Sequence, residues 1–355
     1  NPASSHAAGR KARQLLEDSR ERIANNLGAQ PDEVIFTSGA TEAINLALFG
    51  LIEAPNSHVL ASLIEHPCVV EPLRQLEGRG VAVGWLPVSK EGIVSSESVA
   101  PLIRPETRLV SLMVANHETG AIQPVREIAK TLPEQIILHT DAAQAVGKMP
   151  VNFRDLGAAA LAASAHKFRG PKGIGLLLLK KGIRLRPAMF GGHQQHGRRP
   201  GTEPVALAVG MAAALDYAVR NMEANWAKLL ELRTLFWERL QRLAEPVVLN
   251  GSAIVAAGSA AVLAASSLPT TLNVSFPGCR GDVLLMALDL AGIACSTGSA
   301  CSSGSLLPSP VLQAMGVSDD VLRSAIRFSF GAELELAAMN EAAARIAGVV
   351  NRMRE

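Results

Sequence analysis

Along 9–27 the apolar residues return every three or four positions, the period of one helix face, and Gly28 followed by Pro31 supplies a stop. Past that point the period changes. Short runs rich in Val, Ile and Leu recur at 34–37, 58–63, 81–86, 108–115, 135–140, 159–163 and 174–179, and their length and β-branched content predict strands. Helical patterns at 42–51, 68–76 and 126–131 separate several of them. The alternation predicts an α/β fold: a mainly parallel seven-stranded sheet with helices on both faces and ligands bound outside the carboxyl ends of the strands. From 210 to 243 the pattern is helical with one charged face and predicts a helix pair leading out of the sheet. Segments at 269–276, 281–291, 293–296, 309–315, 325–329 and 334–354 then alternate strand and helix in a smaller α+β unit. The predicted division is a large domain over 1–225 and a small one over 226–355. Residues 252–267 are almost all Ala, Ser, Gly and Val and read as a loop insertion.

Composition narrows the picture. A chain of 355 residues exceeds what one hydrophobic core usually holds, which agrees with two domains. Lys and Arg number 34 against 32 Asp and Glu, a net charge of +2, so no strong field invites nucleic acid or an acidic membrane. The apolar stretches fall short of the roughly 20 residues a spanning helix needs. The polar opening Asn1-Pro2-Ala3-Ser4-Ser5-His6 is not a secretory signal. Four cysteines, at 68, 279, 295 and 301, share no paired spacing and form no disulfide framework, which predicts a reducing, cytoplasmic setting.

Several candidate groups fall at the ends of predicted strands. Lys167, in Ser164-Ala165-His166-Lys167 before a Gly-rich turn, is placed to form a Schiff base with a carbonyl cofactor. Asp141 ends the strand before and suits the protonated pyridine nitrogen of pyridoxal phosphate. Thr37-Ser38-Gly39-Ala40-Thr41-Glu42 runs from strand through small residues into a helix, leaving backbone N–H groups and hydroxyls for a phosphate; neither a dinucleotide nor an ATP-binding glycine pattern is present. His66, in Glu65-His66-Pro67, suits ring stacking or proton movement. Taken singly, each has a plain reading: a solvated lysine, a helix-capping Asp, an ordinary helix start, a structural histidine. Their common position at strand ends points to a site. Gly and Ser surround Cys301 in 294–305, which predicts an exposed, mobile loop suited to a nucleophilic thiol. Cys68 and Cys295 read as small core residues and Cys279 as a turn residue. Arg327 offers a planar fork for a substrate carboxylate, or is a surface-strand arginine. His193-Gln194-Gln195-His196 places two histidines three apart, but the surrounding glycines read as loop and no metal site is assigned.

These motifs resemble the NifS/IscS-like cysteine desulfurases of the class V aminotransferase group, pyridoxal-phosphate enzymes of fold type I. The likeness runs from Asn1 to about Arg354 and is most specific at Ser-Ala-His-Lys (164–167), Ser-Thr-Gly-Ser-Ala-Cys (296–301) and Leu-Pro-Ser-Pro-Val-Leu (307–312). The resemblance implies that Lys167 carries the cofactor as an aldimine, Asp141 pairs with its pyridinium and Gln144 donates to its phenolic oxygen. It further implies that Ala40, Thr41, Ser164 and His166 hold the phosphate and that His66 stacks on the ring in the catalytic set. Thr202, in Arg199-Pro200-Gly201-Thr202, would reach the phosphate of a second subunit, which implies a homodimer. L-Cysteine would displace Lys167, the freed amine would take the α-proton, and Cys301 would attack the substrate sulfur, giving L-alanine and a persulfide for an acceptor or scaffold protein.

Where the family has Asn-Asn-Glu, this chain has Asn116-His117-Glu118. Either His117 or Asn116 stands near the cofactor's oxygen, and Asn116 with Arg327 is a candidate for substrate binding. The family's opening strand and loop do not precede Asn1, and the extended C-terminal tail of some relatives is absent, which reads as a truncated or processed form with scaffold docking in doubt. Competing expectations are a selenocysteine lyase or another class V aminotransferase-like enzyme, and a catalytically silent binding homologue.

Overall fold

The computed structural model describes residues 1–53, 55–252, 266–298 and 308–355. The apolar runs form one seven-stranded sheet: β1 (Val34–Thr37), β2 (His58–Ser62), β3 (Ala82–Leu86), β4 (Thr107–Ser111), β5 (Ile137–Asp141), β6 (Ala160–Ser164) and β7 (Gly175–Leu179). Their order is β1-β7-β6-β5-β4-β2-β3. The five strands β6-β5-β4-β2-β3 are mutually parallel, whereas β7 runs antiparallel to both β6 and β1. Two reversals restore direction, so β1 points the same way as β6. Every residue of β1, β2, β6 and β7 is buried, which is why these strands read as continuous apolar runs rather than as alternation.

Helices α1 (Ala7–Leu27), α2 (Ala40–Leu51), α3 (Pro67–Glu77), α4 (Val125–Thr131) and α5 (Val205–Arg220) complete this unit. As predicted, α1 stops at Gly28, which takes a left-handed φ of 65° and returns its N–H to Ala24 and Asn25 carbonyls. α2 packs with Ile44, Ala47, Leu48 and Leu51 into the core it shares with Leu177 and Leu179. A close approach fixes its start: a Cβ on Gly175 would stand 2.6 Å from the backbone of Gly39, so β7 needs glycine where the β1–α2 turn crosses it.

The contacts divide the chain into two compact units. The first is Asn1–Leu86, Ser95–Val114 and Gln123–Met222; the second is Pro87–Val94, Ala115–Ile122 and Glu223–Glu355. Two short segments inside the predicted large domain thus cluster with the C-terminal half. In the second unit, β8 (Val248–Leu249), β9 (Thr271–Ser275) and β10 (Ala325–Ser329) form an antiparallel sheet in the order β10-β9-β8. It is covered by α6 (Met222–Leu243) and by the helices Gly281–Leu290 and Leu336–Arg354 around a core in which Phe236 meets Phe328 and Phe330 edge-on at 5.2 and 5.5 Å. The strand predicted at 293–296 is not formed. Ser296 alone bridges to Arg327, because the chain arrives there straight from the turn at Gly292 and pairs for one residue only. The one-turn helix Asp319–Arg323 and the two-residue β8 are too short to mark the sequence with a period. No single helix among the described residues is long and apolar enough to cross a membrane.

Candidate functional site

Strand direction brings the first unit's candidates to one edge. β1, β2, β5 and β6 share a direction, so their carboxyl ends deliver Ser38–Thr41, Glu65-His66, Asp141 and Ser164–Lys167 to the same side of the sheet. Ser164 ends β6 and its Oγ lies 2.9 Å from His166 Nδ1. A Cβ on Gly39 would meet that same Oγ at 3.6 Å, so the Ser164 hydroxyl faces the β1–α2 turn. Ala40 and Thr41 open the twelve-residue α2, whose first N–H groups lack intrahelical acceptors. One expectation needs correction: the Ser38 N–H is not free for a phosphate, since it donates to Glu42 Oε2 at 2.7 Å, and the Thr37 hydroxyl donates to the Gly39 carbonyl. Glu42 in turn accepts both Arg199 Nε and Nη2, at 2.7 and 3.2 Å, tying this turn to the Arg199–Thr202 segment.

Lys167 sits in the single 3₁₀ turn Ala165–Phe168, closed by Arg169 at a left-handed φ of 66°. It is exposed rather than desolvated. Its charge is nevertheless felt at three neighbours: it adds to burial in lowering the pKa of His66 and His166, and it opposes the rise that burial causes at Asp141. Asp141, buried at the end of β5, accepts Ala143 N–H at 2.8 Å. Burial pushes its pKa up to about 6 against the opposing pull of that hydrogen bond and of Lys167. Gln144 Oε1 accepts Lys148 Nζ at 2.7 Å, so that its remaining hydrogen-bonding capacity includes the amide N–H donors. His66 is the N-cap of α3, its Nδ1 accepting Cys68 N–H at 3.1 Å; that bond fixes the tautomer with hydrogen on Nε2, and burial followed by the Lys167 charge keeps the ring neutral. Thr202 is exposed.

The second unit holds the remaining candidates. Asn116 is buried and spends its Oδ1 on its own turn, accepting Glu118 N–H, Thr119 N–H and Thr119 Oγ1–H at 2.8, 2.9 and 3.2 Å. His117 offers its carbonyl to Arg327 Nη1 at 3.1 Å and its Nε2 lies 3.7 Å from Glu118 Oε1. Arg327, half-buried on β10, therefore has part of its fork already committed. Cys301 lies outside the described residues, as does most of the insertion expected at 252–267. Of the other cysteines, Cys279 is buried and its thiol pKa is raised by that burial, and Cys295 is pushed up to about 11 by burial and Asp289. His193 and His196 belong to an irregular turn, and no cluster of three or more His, Cys, Asp or Glu among the described residues could hold a metal.

Sequence reasoning passed over Glu65. Its Oε1 accepts Ser62 Oγ–H at 2.6 Å and Met113 N–H at 2.9 Å, while burial raises the pKa to about 8, with the Asp141 charge adding to the rise. Between its unfolded value of 4.5 and about 8 the folded chain keeps a proton that the unfolded chain has lost. Stability is then present at low pH and falls as pH rises, by about 1.4 kcal/mol per unit at most. Glu65→Gln is expected to flatten this slope between about pH 5 and pH 8, read by urea denaturation at each pH; an unchanged slope would assign it elsewhere. The signal available in the sequence was a Glu wedged between the apolar strand end and His66-Pro67.

Comparison with known proteins completes the description. The aminotransferase class-V family profile matches residues 1–337. The cysteine desulfurase IscS of Dictyoglomus turgidum is 40% identical over 335 residues, covering 93% of this chain and 82% of that protein. Among solved structures, one titled a NifS-like protein superposes with a TM-score of 0.89 at 34% identity, covering 99% of this chain and 92% of the other. Another, titled SspA in complex with cysteine, has a TM-score of 0.78 at 33% identity over 93% of this chain and 90% of its own. On this match, with the strand-end residues in place, the chain belongs to the class-V aminotransferase family and, within it, to the NifS/IscS-like cysteine desulfurases.

Proposed function

We propose that this cysteine desulfurase uses pyridoxal phosphate to move the sulfur of L-cysteine onto Cys301, releasing L-alanine and leaving a persulfide for an acceptor protein. The observation that carries the cofactor assignment is Asp141. A buried carboxyl with one backbone donor and a pKa pushed up to about 6 gains most from a fixed cation, and a protonated pyridine nitrogen is one. The start of α2, with Ala40 and Thr41, suits a phosphate, and Ser164 with His166 supplies hydroxyl and imidazole beside it. Neutral His66 offers a flat face for stacking, and the N–H groups of Gln144 suit a phenolic oxygen.

The cofactor, when bound, supplies a carbonyl carbon for the substrate amine and an electron sink for its carbon skeleton. The protein's share is proton and sulfur handling. The Lys167 amine acts as the base at the substrate α-carbon. Arg327, with the donors left on its fork, holds the substrate carboxylate. Cys301, as thiolate, attacks the substrate sulfur: the Cβ–S bond breaks, an S–S bond forms, and the β-carbon takes the proton that completes the methyl of alanine. Atoms and electrons balance without an outside oxidant. Thr202, exposed and three residues after Arg199 in the chain, would serve the phosphate of a second copy, making the working enzyme a homodimer. A reducing cytoplasm suits Cys68, Cys279 and Cys295, none of which is in a disulfide.

The deciding experiment supplies L-cysteine and a reducing thiol without any keto acid. Alanine and sulfide are expected in equal amounts over many turnovers. A dependence on keto acid would indicate transamination instead, and turnover of L-selenocysteine but not L-cysteine would indicate a lyase for the selenium substrate.

A further inference from the structure

Glu118, like Glu65, is a buried acid that the reaction as described does not use. It sits on a tight turn in the second unit, closed by Asn116 N–H to Ala121 O at 2.8 Å and Gly120 N–H to Asn116 O at 3.0 Å, and its own carbonyl receives Asn273 Nδ2–H at 3.4 Å. Its side chain is 1% exposed. Oε2 accepts the Ser309 hydroxyl at 2.6 Å. The same oxygen lies against Gly298, where a Cβ would stand 2.1 Å from it and 2.8 Å from Ser309 Cβ. Residues 298 and 309 therefore converge on one carboxyl oxygen, and Cys301 lies in the chain between them.

Both approaches are braced from behind. On one side Ser296 exchanges backbone hydrogen bonds with Arg327 at 3.1 and 2.6 Å, and Arg327 donates to the carbonyl of His117, next to Glu118. On the other, Ser309 Oγ accepts Leu312 N–H at 3.1 Å and so caps the helix Pro310–Ala314 while giving its own proton to Glu118. A carboxyl this buried is costly unless paired. Its hydrogen-bond partner here is Ser309, with the Arg327 charge acting on it as well, and Gly298 packs against the bonded oxygen.

We infer that Glu118 is a positioning residue whose carboxyl clasps Gly298 and Ser309 and so fixes the two points from which the Cys301 thiol is presented. The inference rests on Cys301 as the sulfur acceptor. Freeing one end of a tethered group widens the space it explores and lowers its effective concentration at the target. Loss of the clasp therefore slows the thiol's attack without weakening capture of cysteine.

The test measures alanine formation by the cofactor-loaded enzyme, with kcat and KM for cysteine, in Ser309→Ala, Glu118→Ala, the double variant and Gly298→Ala. Each single variant is expected to lose about tenfold in kcat, the order that a small misplacement costs. KM and cofactor absorbance should stay within about twofold. The double variant should be no slower than either single, because both remove the same bond. Gly298→Ala keeps both polar groups but drives the oxygen away, so it shows the loss even if Glu118→Ala fails to load cofactor. Multiplying losses in the double variant, a loss carried by KM, or full turnover in the single variants would overturn the clasp. Cys301→Ser run in parallel separates the two claims. If it stays active, the sulfur-acceptor reading falls and the clasp with it; if it is dead while the Ser309 and Gly298 variants are unaffected, the clasp alone falls.

Discussion

Lys167→Ala is expected to lose turnover by about 10⁴-fold, the span of a positioned base and attachment amine together, and the purified protein is expected to lose its visible cofactor absorbance. The loss should be chemical and electrostatic at once. Lys167 is the cation whose charge reaches His66, His166 and Asp141. Without it, Asp141 is left with burial opposed only by the Ala143 hydrogen bond, so its pKa rises further and its hold on a pyridinium weakens. Lys167→Arg separates the two effects. A guanidinium restores the charge but supplies neither an attachment amine nor a base at neutral pH. This variant should therefore bind the phosphate-bearing cofactor better than Lys167→Ala, by equilibrium dialysis, while remaining as inactive in alanine formation.

Cys301→Ser is expected to abolish alanine and sulfide production, by about 10³-fold or more, with the cofactor spectrum and cysteine binding retained. No other described thiol is equipped to take over. Cys295, pushed up to about 11, has roughly one molecule in 10⁴ as thiolate at neutral pH, and Cys279 is buried with its pKa raised. Cys68 is engaged with His66 Nδ1 at 2.9 Å at the start of α3. Serine in place of Cys279 or Cys295 should leave turnover nearly intact. Comparable losses at Cys295 and Cys301 would mean that sulfur takes a different route.

Most of the sheet was legible because β1, β2, β6 and β7 are buried along their whole length, and β4 and β5 at all but one residue, so burial leaves continuous apolar runs bounded by turn residues; β3 is buried only at Leu86. The strand-end residues were legible for a related reason. In a parallel sheet the carboxyl ends share one edge, so Asp141, Ser164 and His66 could be grouped from chain order alone. The single pairing residue at Ser296 and the two-residue β8 carry no period to read. Nor does local sequence show that 87–94 and 115–122 cluster with the C-terminal half, since that depends on contacts far along the chain. Ser38 was misread because its N–H has a partner four residues on, in the Glu42 side chain. Glu65 and Glu118 escaped notice because an acid beside a histidine resembles a solvated surface group. The groups that meet their carboxyls are Met113 and Ser62 in one case and Ser309 and Gly298 in the other, all but Ser62 distant in sequence.

The most direct measurement is a single turnover. Protein freed of persulfide by reduction is mixed with less than one equivalent of L-cysteine and quenched, then alanine is counted and the proteolysed chain is weighed by mass spectrometry. The account predicts one alanine per cysteine consumed and one additional sulfur atom on the peptide that carries Cys301. Alanine formed with the sulfur on another cysteine, or cysteine consumed with no alanine, would contradict it.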